Sequence, residues 1–133
     1  MTTESPTLSR EELAALPASY FKAVDAQDVD AIVSHFADDA TLTVQTDHVT
    51  FNGADEIRRM FTDFVGNSNS IFHEIKNIVI EPAAGKIATE QSYIGELLDG
   101  TKNDMHNCNF FDVGPDGKFT RVIIWMAGTN PLK

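Results

Sequence analysis

A single cysteine, Cys108, stands in 133 residues, which excludes an internal disulfide and any metal cage built on several cysteines. Cations are also scarce: 10 Lys and Arg face 20 Asp and Glu, giving a formal net charge of -10. They are scattered along the chain, so no positive stripe exists to neutralise a phosphate backbone. Neither nucleic acid nor an anionic membrane surface is therefore expected as a partner. No apolar run approaches the roughly 20 residues that a membrane-spanning helix needs. The opening residues, MTTESPTLSREEL, hold no basic segment followed by an apolar one, so no secretory signal is expected and the cytoplasm is the default compartment. Internal repeats and low-complexity stretches are lacking as well.

What remains is globular: 42% hydrophobic and 23% charged residues, at a length that suits one domain with one core and one principal pocket. Residues 1–7 read as a flexible N-terminus and residues 8–130 as the domain. Ser9 followed by Glu12 matches a capping box, and Leu13, Leu16, Tyr20 and Val24 recur at helical spacing. A first helix is predicted there, kinked or restarted at Pro17. Asp28 can cap a short second helix carrying Val29, Ile32, Val33 and Phe36, with ADDAT as a break after it. Thr- and Val-rich alternation from Ala40 to Phe51 predicts two short strands interrupted near Asp47. Asn52 and Gly53 end them, and a third helix follows with Ile57, Met60, Phe61 and Phe64 on its buried face. Strands are predicted over 71–81, 86–98, 102–113 and 118–128, separated by the turn signals PAAG, DG and GPDG. Helices first and a run of long strands afterwards define an α+β domain ending in an antiparallel meander.

The segment YFKAVDAQDVDAIVSHFADDATL, the Gly53-led helix and the four long strands resemble the nuclear transport factor 2-like superfamily. That group includes ketosteroid isomerases, scytalone dehydratase, limonene epoxide hydrolase and the SnoaL-like cyclases. The resemblance covers nearly the whole chain. It implies a cone-shaped, curved, mixed but mostly antiparallel sheet packed against three N-terminal helices, a cystatin-like roll. It also implies a pocket between the concave face and the helices and, commonly, a homodimer. Enzymes and binding modules share this fold, so the chemistry has to be sought in individual side chains.

In the resembled ketosteroid isomerases a tyrosine lies on the first helix, a carboxylate base on the first strand and a buried acid on a late strand. Tyr20 falls at the tyrosine position, but Val44 stands at the base position and Asn109 at that of the buried acid. An amide can donate to an oxyanion, whereas valine cannot take a proton. The Asp–Arg–Asp arrangement of limonene epoxide hydrolase is replaced by residues such as Gln91, Tyr93 and Ile124. The last strand, where the cyclases hold a carboxylate, offers only Arg121 and Lys118 among charged residues. A better match is the dehydratase branch, resembled by bile-acid dehydratase-like sequences, with a tyrosine, an aspartate five residues on and a histidine opening the third strand. Tyr20, Asp25 and His73 occupy those places. An aspartate that accepts from one imidazole nitrogen fixes the tautomer and raises basicity, freeing the other nitrogen to remove a proton. A tyrosine hydroxyl can then bond the oxygen where negative charge develops.

Alternation places His73, Ile75 and Asn77 on one strand face and Met105, Asn107, Asn109 and Phe111 on another. Asn77, Asn107, Asn109 and Phe111, with Phe61 and Met126, are thus candidate ligand contacts. Each site residue also has a structural reading: Tyr20 as core packing, Asp25 as a cap for backbone donors, the asparagines as partners of neighbouring strands. Whether Glu90 and Glu96 point inward depends on hairpin register. Cys108 is expected to pack as a small hydrophobe, and Trp125 to face away from the pocket and cover a subunit interface. His35, His48 and His106 lack companions at ligand spacing, so no metal is expected, and no cofactor. The function expected is a cofactor-independent lyase (dehydratase) or isomerase acting on a small hydrophobic, cyclic, oxygenated molecule. Its rivals are a non-catalytic ligand-binding or dimerisation module of the same fold and a protein-association role like that of nuclear transport factor itself.

Overall fold

The computed structural model describes residues 8–127. The expected flexible residues 1–7, and residues 128–130 of the expected domain, lie outside the described residues. The elements are α1 (Arg10–Asp25), α2 (Val29–Val33), β1 (Phe36–Val44), β2 (Val49–Asn52), α3 (Gly53–Gly66), β3 (Ser68–Glu81), β4 (Lys86–Leu97), β5 (Lys102–Val113) and β6 (Phe119–Trp125).

The capping box forms as expected: Ser9 Oγ accepts from the Glu12 N–H at 3.0 Å and the Glu12 carboxylate accepts from the Ser9 N–H at 2.9 Å. The helix that follows continues through Pro17 without a restart. Proline has no N–H to offer the Leu13 carbonyl, yet the buried Leu13, Tyr20, Phe21 and Val24 hold the turns on either side in one helix, and packing overrides the local cost. Asp28 caps α2, its carboxylate accepting from Ala31 N–H at 3.1 Å. Phe36 departs from the expectation, since it opens β1 instead of closing α2 and FADDAT lies within a strand. The reason is tertiary. The Phe119 N–H donates to the His35 carbonyl at 2.7 Å and Phe36 pairs with Phe119, so β6 draws this segment into the sheet, with an irregularity before Thr41.

The third helix forms with the four expected residues, Ile57, Met60, Phe61 and Phe64, buried. Its first residue, Gly53, has φ +86°, a left-handed conformation that suits glycine at the tight exit from β2. The four late strands form the predicted meander, with β3 beginning three residues earlier than expected, at Ser68, and β6 ending at Trp125. The sheet order is β2-β1-β6-β5-β4-β3. All pairings are antiparallel except β1 with β6, so the first and last long strands lie side by side and the sheet is mixed.

Helix α1 packs on β3 and α3 on β1, which covers one face of the sheet. Along β4 the buried set is Ile87, Thr89, Gln91, Tyr93 and Gly95, and along β5 it is Met105, Asn107, Asn109 and Phe111. The opposite face carries Glu90, His106, Cys108, Phe110 and Trp125, all exposed or half-buried. Beneath α1, Tyr20 meets Phe21, Phe36, Phe61, Phe111 and Phe119 with centroids 5.1–6.2 Å apart, mostly edge to face. Among the described residues no helix is long and apolar enough to cross a membrane.

Candidate active site

Asp25 is the last residue of α1 and His73 lies in β3, so the packing of that helix on that strand brings them together. The Asp25 carboxylate accepts from His73 twice, at 2.7 Å from the ring Nδ1 and at 2.9 Å from the backbone N–H. One carboxylate thus holds a backbone donor of β3 and the ring on the same residue, not the donors of the AQD break beside it. A carboxylate can only accept, so Nδ1 carries the proton and Nε2 presents a lone pair. The imidazole lies between two aromatic faces, Phe21 at 4.7 Å and 23° and Tyr93 at 5.2 Å and 29°. Stacking on both sides fixes the ring plane, and π-faces favour an imidazolium once it forms.

His73 lines a cavity together with Tyr20, Phe21, Val24, Phe61, Phe64, Gln91, Tyr93, Asn107, Asn109, Ile124 and Met126. Its volume is about 40 Å³, space for a few water molecules. Tyr20 makes no hydrogen bond to a described residue, and burial pushes its phenol far above the ordinary tyrosine value, so it is a neutral O–H donor. Burial also raises the Tyr93 phenol, with the Asn103 amide pulling the other way. Tyr93 Oη and Asn103 Nδ2 are both buried without completing a hydrogen bond of standard geometry. The Tyr93 hydroxyl lies over Gly95, where an added Cβ would come within 2.6 Å of it.

Of the expected ligand contacts, Phe61, Asn107, Asn109 and Met126 line this cavity. Asn107 is tied down, its Oδ1 accepting from the Ala127 N–H at 3.1 Å. Asn77 does not line it. Pairing runs Ile75 with Gln91 and then Asn77 with Glu90, so a bulge at Lys76 shifts the strand by one residue and turns Asn77 to the outer face. Phe111 is also corrected: it is fully buried against Phe119, 4.9 Å between centroids, within the aromatic core and not on the cavity wall. Glu90 and Glu96 point outward with the rest of their face, Glu90 bonded to His106 Nε2 at 2.7 Å. Cys108 is half-buried there, its thiol raised by burial and then by Glu90, and Trp125 is outward as expected. Among the described residues no group of three or more His, Cys, Asp or Glu could hold a metal ion.

Sequence reasoning met Gln91 and Tyr93 only as misfits to an epoxide hydrolase and missed Thr89, Phe21, Val24 and Phe64 as site neighbours. The signal for β4 was available. The DG turn with Glu96 opposite Lys102 sets a register that puts Thr89, Gln91 and Tyr93 across from Asn109, Asn107 and Met105, on one face.

The sequence profile of the SnoaL-like domain matches residues 18–122, and the chain belongs to that family. No curated protein matches the sequence. Among solved structures, a protein from Novosphingobium aromaticivorans provisionally named an aromatic ring hydroxylase aligns with TM-score 0.84 at 24% identity, over 98% of this chain and 100% of its own. The epoxide hydrolase/cyclase-like enzyme SalBIII, of pyran ring formation in the polyether salinomycin, aligns with TM-score 0.80 at 20% identity, over 90% of this chain and 93% of its own. An LEH-like epoxide hydrolase of M. tuberculosis aligns with TM-score 0.76 at 15% identity, over 88% of this chain and 84% of its own. These likenesses, together with those to proteins described as cystatin-like in fold and as NTF2-like, establish the fold.

Proposed function

We propose that the domain is a cofactor-independent lyase (dehydratase) or isomerase acting on a small hydrophobic, cyclic carbonyl compound. The observation that carries this reading is the Asp25–His73 pair, with Nε2 as acceptor, in the same cavity wall as the unpaired Tyr20 hydroxyl. His73 Nε2 takes a proton from the carbon beside the carbonyl, and Tyr20 donates to the oxygen on which the electron pair accumulates. Asp25 and the two stacked rings stabilise the imidazolium. The proton then returns either to a departing hydroxide, which completes dehydration, or to another carbon of the dienolate, which moves the double bond. A panel of cyclic β-hydroxy ketones and β,γ-unsaturated ketones tests this directly. Turnover that falls about 10²–10⁴-fold in His73→Ala supports the assignment, and turnover unchanged by that substitution refutes it.

The narrowness of the cavity favours a second reading, a non-catalytic module. A ring needs several times that volume. On the catalytic reading Met126, half-buried beside the end of β6, moves aside to admit the substrate. On the non-catalytic one the cavity stays closed and the outer face does the work. That face exposes Val79, Phe110 and Trp125 at 63%, 44% and 49%, flanked by Lys86, Asp112 and Arg121. We propose a second copy of this chain as its occupant on either reading, since an apolar stripe bordered by both charges can meet itself across a two-fold axis.

A further inference from the structure

We infer that Thr89 and Gln91 are positioning residues that fix Asn109 as a hydrogen-bond donor into the cavity, so that the ligand atom recognised there is an acceptor: a carbonyl, enolate or phenolate oxygen. This rests on the active-site reading above and extends it to two side chains that touch no ligand atom through their own polar ends.

The three side chains are 2%, 1% and 2% exposed for Thr89, Gln91 and Asn109. Thr89 Oγ1 donates to Gln91 Oε1 at 2.7 Å, and Gln91 Nε2 donates to Asn109 Oδ1 at 2.9 Å. The Thr89 hydroxyl can donate or accept, and here it donates to the oxygen end of the Gln91 amide, whose nitrogen end faces β5. Asn109 must then answer with its own oxygen, and its Nδ2 is left for the cavity it lines. No described residue accepts from that nitrogen. A chain of donors running one way polarises the last of them, and low local dielectric strengthens what it offers. Tyr20 presents a second unpartnered O–H in the same cavity. Two donors suit an oxygen that gains negative charge, and a ligand hydroxyl finds no acceptor between them, the acceptor of this cavity being His73 Nε2.

Substituted phenols, titrated against the intact protein and followed through the phenolate absorption band, read the preference between acceptor and donor forms. Side-chain ¹⁵N–¹H NMR of Asn109 reports on the contact itself. The wild type should bind 4-nitrophenolate at least about tenfold more tightly than the neutral phenol, moving the midpoint of the bound probe's ionisation down by about one pH unit, and should shift the Asn109 amide pair. Gln91→Glu accepts from both Thr89 and Asn109, turns the Asn109 carbonyl toward the cavity and should abolish that preference. If that variant does not fold, Thr89→Val should weaken the preference several-fold and Thr89→Ser should restore it. A wild type without phenolate preference, or a Thr89→Val protein that keeps it in full while Asn109→Leu loses it, overturns the inference. Either result leaves the His73 assignment standing, because that is decided by turnover in His73→Ala.

Discussion

Asp25 holds His73 at two points, the ring nitrogen at 2.7 Å and the backbone N–H at 2.9 Å, so the end of α1 locks both the imidazole and the strand that carries it. Removing the carboxylate in Asp25→Ala leaves both donors without their acceptor in a partly buried place, at a cost of about 1–3 kcal/mol. Urea unfolding should report that loss, and ¹⁵N NMR of the wild type should find the His73 proton on Nδ1. A His73 ring carrying its neutral-state proton on Nε2 would contradict the proposed base.

Tyr20 should separate stability from activity. Its hydroxyl is buried without a described partner, so Tyr20→Phe should leave stability unchanged or raise it by up to about 1 kcal/mol. Turnover of any substrate identified should fall about 10²-fold or more through loss of an oxyanion donor. A stability loss as large as that of a core truncation would mean that the hydroxyl is structural.

The same residue sets an alkaline limit. Because burial lifts the folded-state value above the ordinary 10.0, the neutral phenol is favoured by the fold. The contribution is fully present below about pH 10 and is lost as the pH rises beyond it, since only the unfolded chain ionises readily there. Ultraviolet titration should show one tyrosine that stays protonated until the protein unfolds, and Tyr20→Phe should flatten the fall in stability above pH 10.

Gly95 is tested by a single methyl. A Cβ there would lie 2.6 Å from the Tyr93 hydroxyl and 2.9 Å from the Ser70 carbonyl, so Gly95→Ala must displace Tyr93 from its place against His73. A loss of about 1–3 kcal/mol is expected from the forced overlap. The ring-current shifts of the His73 protons should change with it. Intact shifts would show that Tyr93 yields elsewhere.

On the outer face, Phe110→Glu combined with Trp125→Glu should convert a dimer to a monomer in sedimentation analysis while sparing the Asp25–His73 bond. A wild-type chain that sediments as a monomer at micromolar concentration would rule out the second copy as occupant.

Most of the architecture could be read from the sequence because helical and strand periodicities, caps and turn signals agree over long stretches. The Tyr20–Asp25–His73 set came from the resemblance to dehydratase-like sequences and not from any local pattern, and the structure places Asp25 and His73 in contact. What escaped prediction depends on distant partners. Nothing local tells Phe36 to leave a helix for a strand; its pairing with Phe119 does. Asn77 was misplaced by one bulge, since strict alternation flips every later residue when a single one is inserted. Phe111 alternates inward as expected, and the rings of Tyr20, Phe21 and Phe119 around it hold it behind the cavity.

The parallel pairing of β1 with β6 also governs how the molecule is born. β1 begins at Phe36 and its central neighbour at Phe119, so most of the chain must be synthesised before the sheet can be joined. Until then β1 and β2 form an isolated pair, the unpaired side of β1 is open to other chains, and the rings of Phe36 and Tyr20 lack Phe119. Pairings this distant in sequence form slowly. The stretch of translation before residue 119 is therefore when this chain is most open to aggregation and most in need of a chaperone.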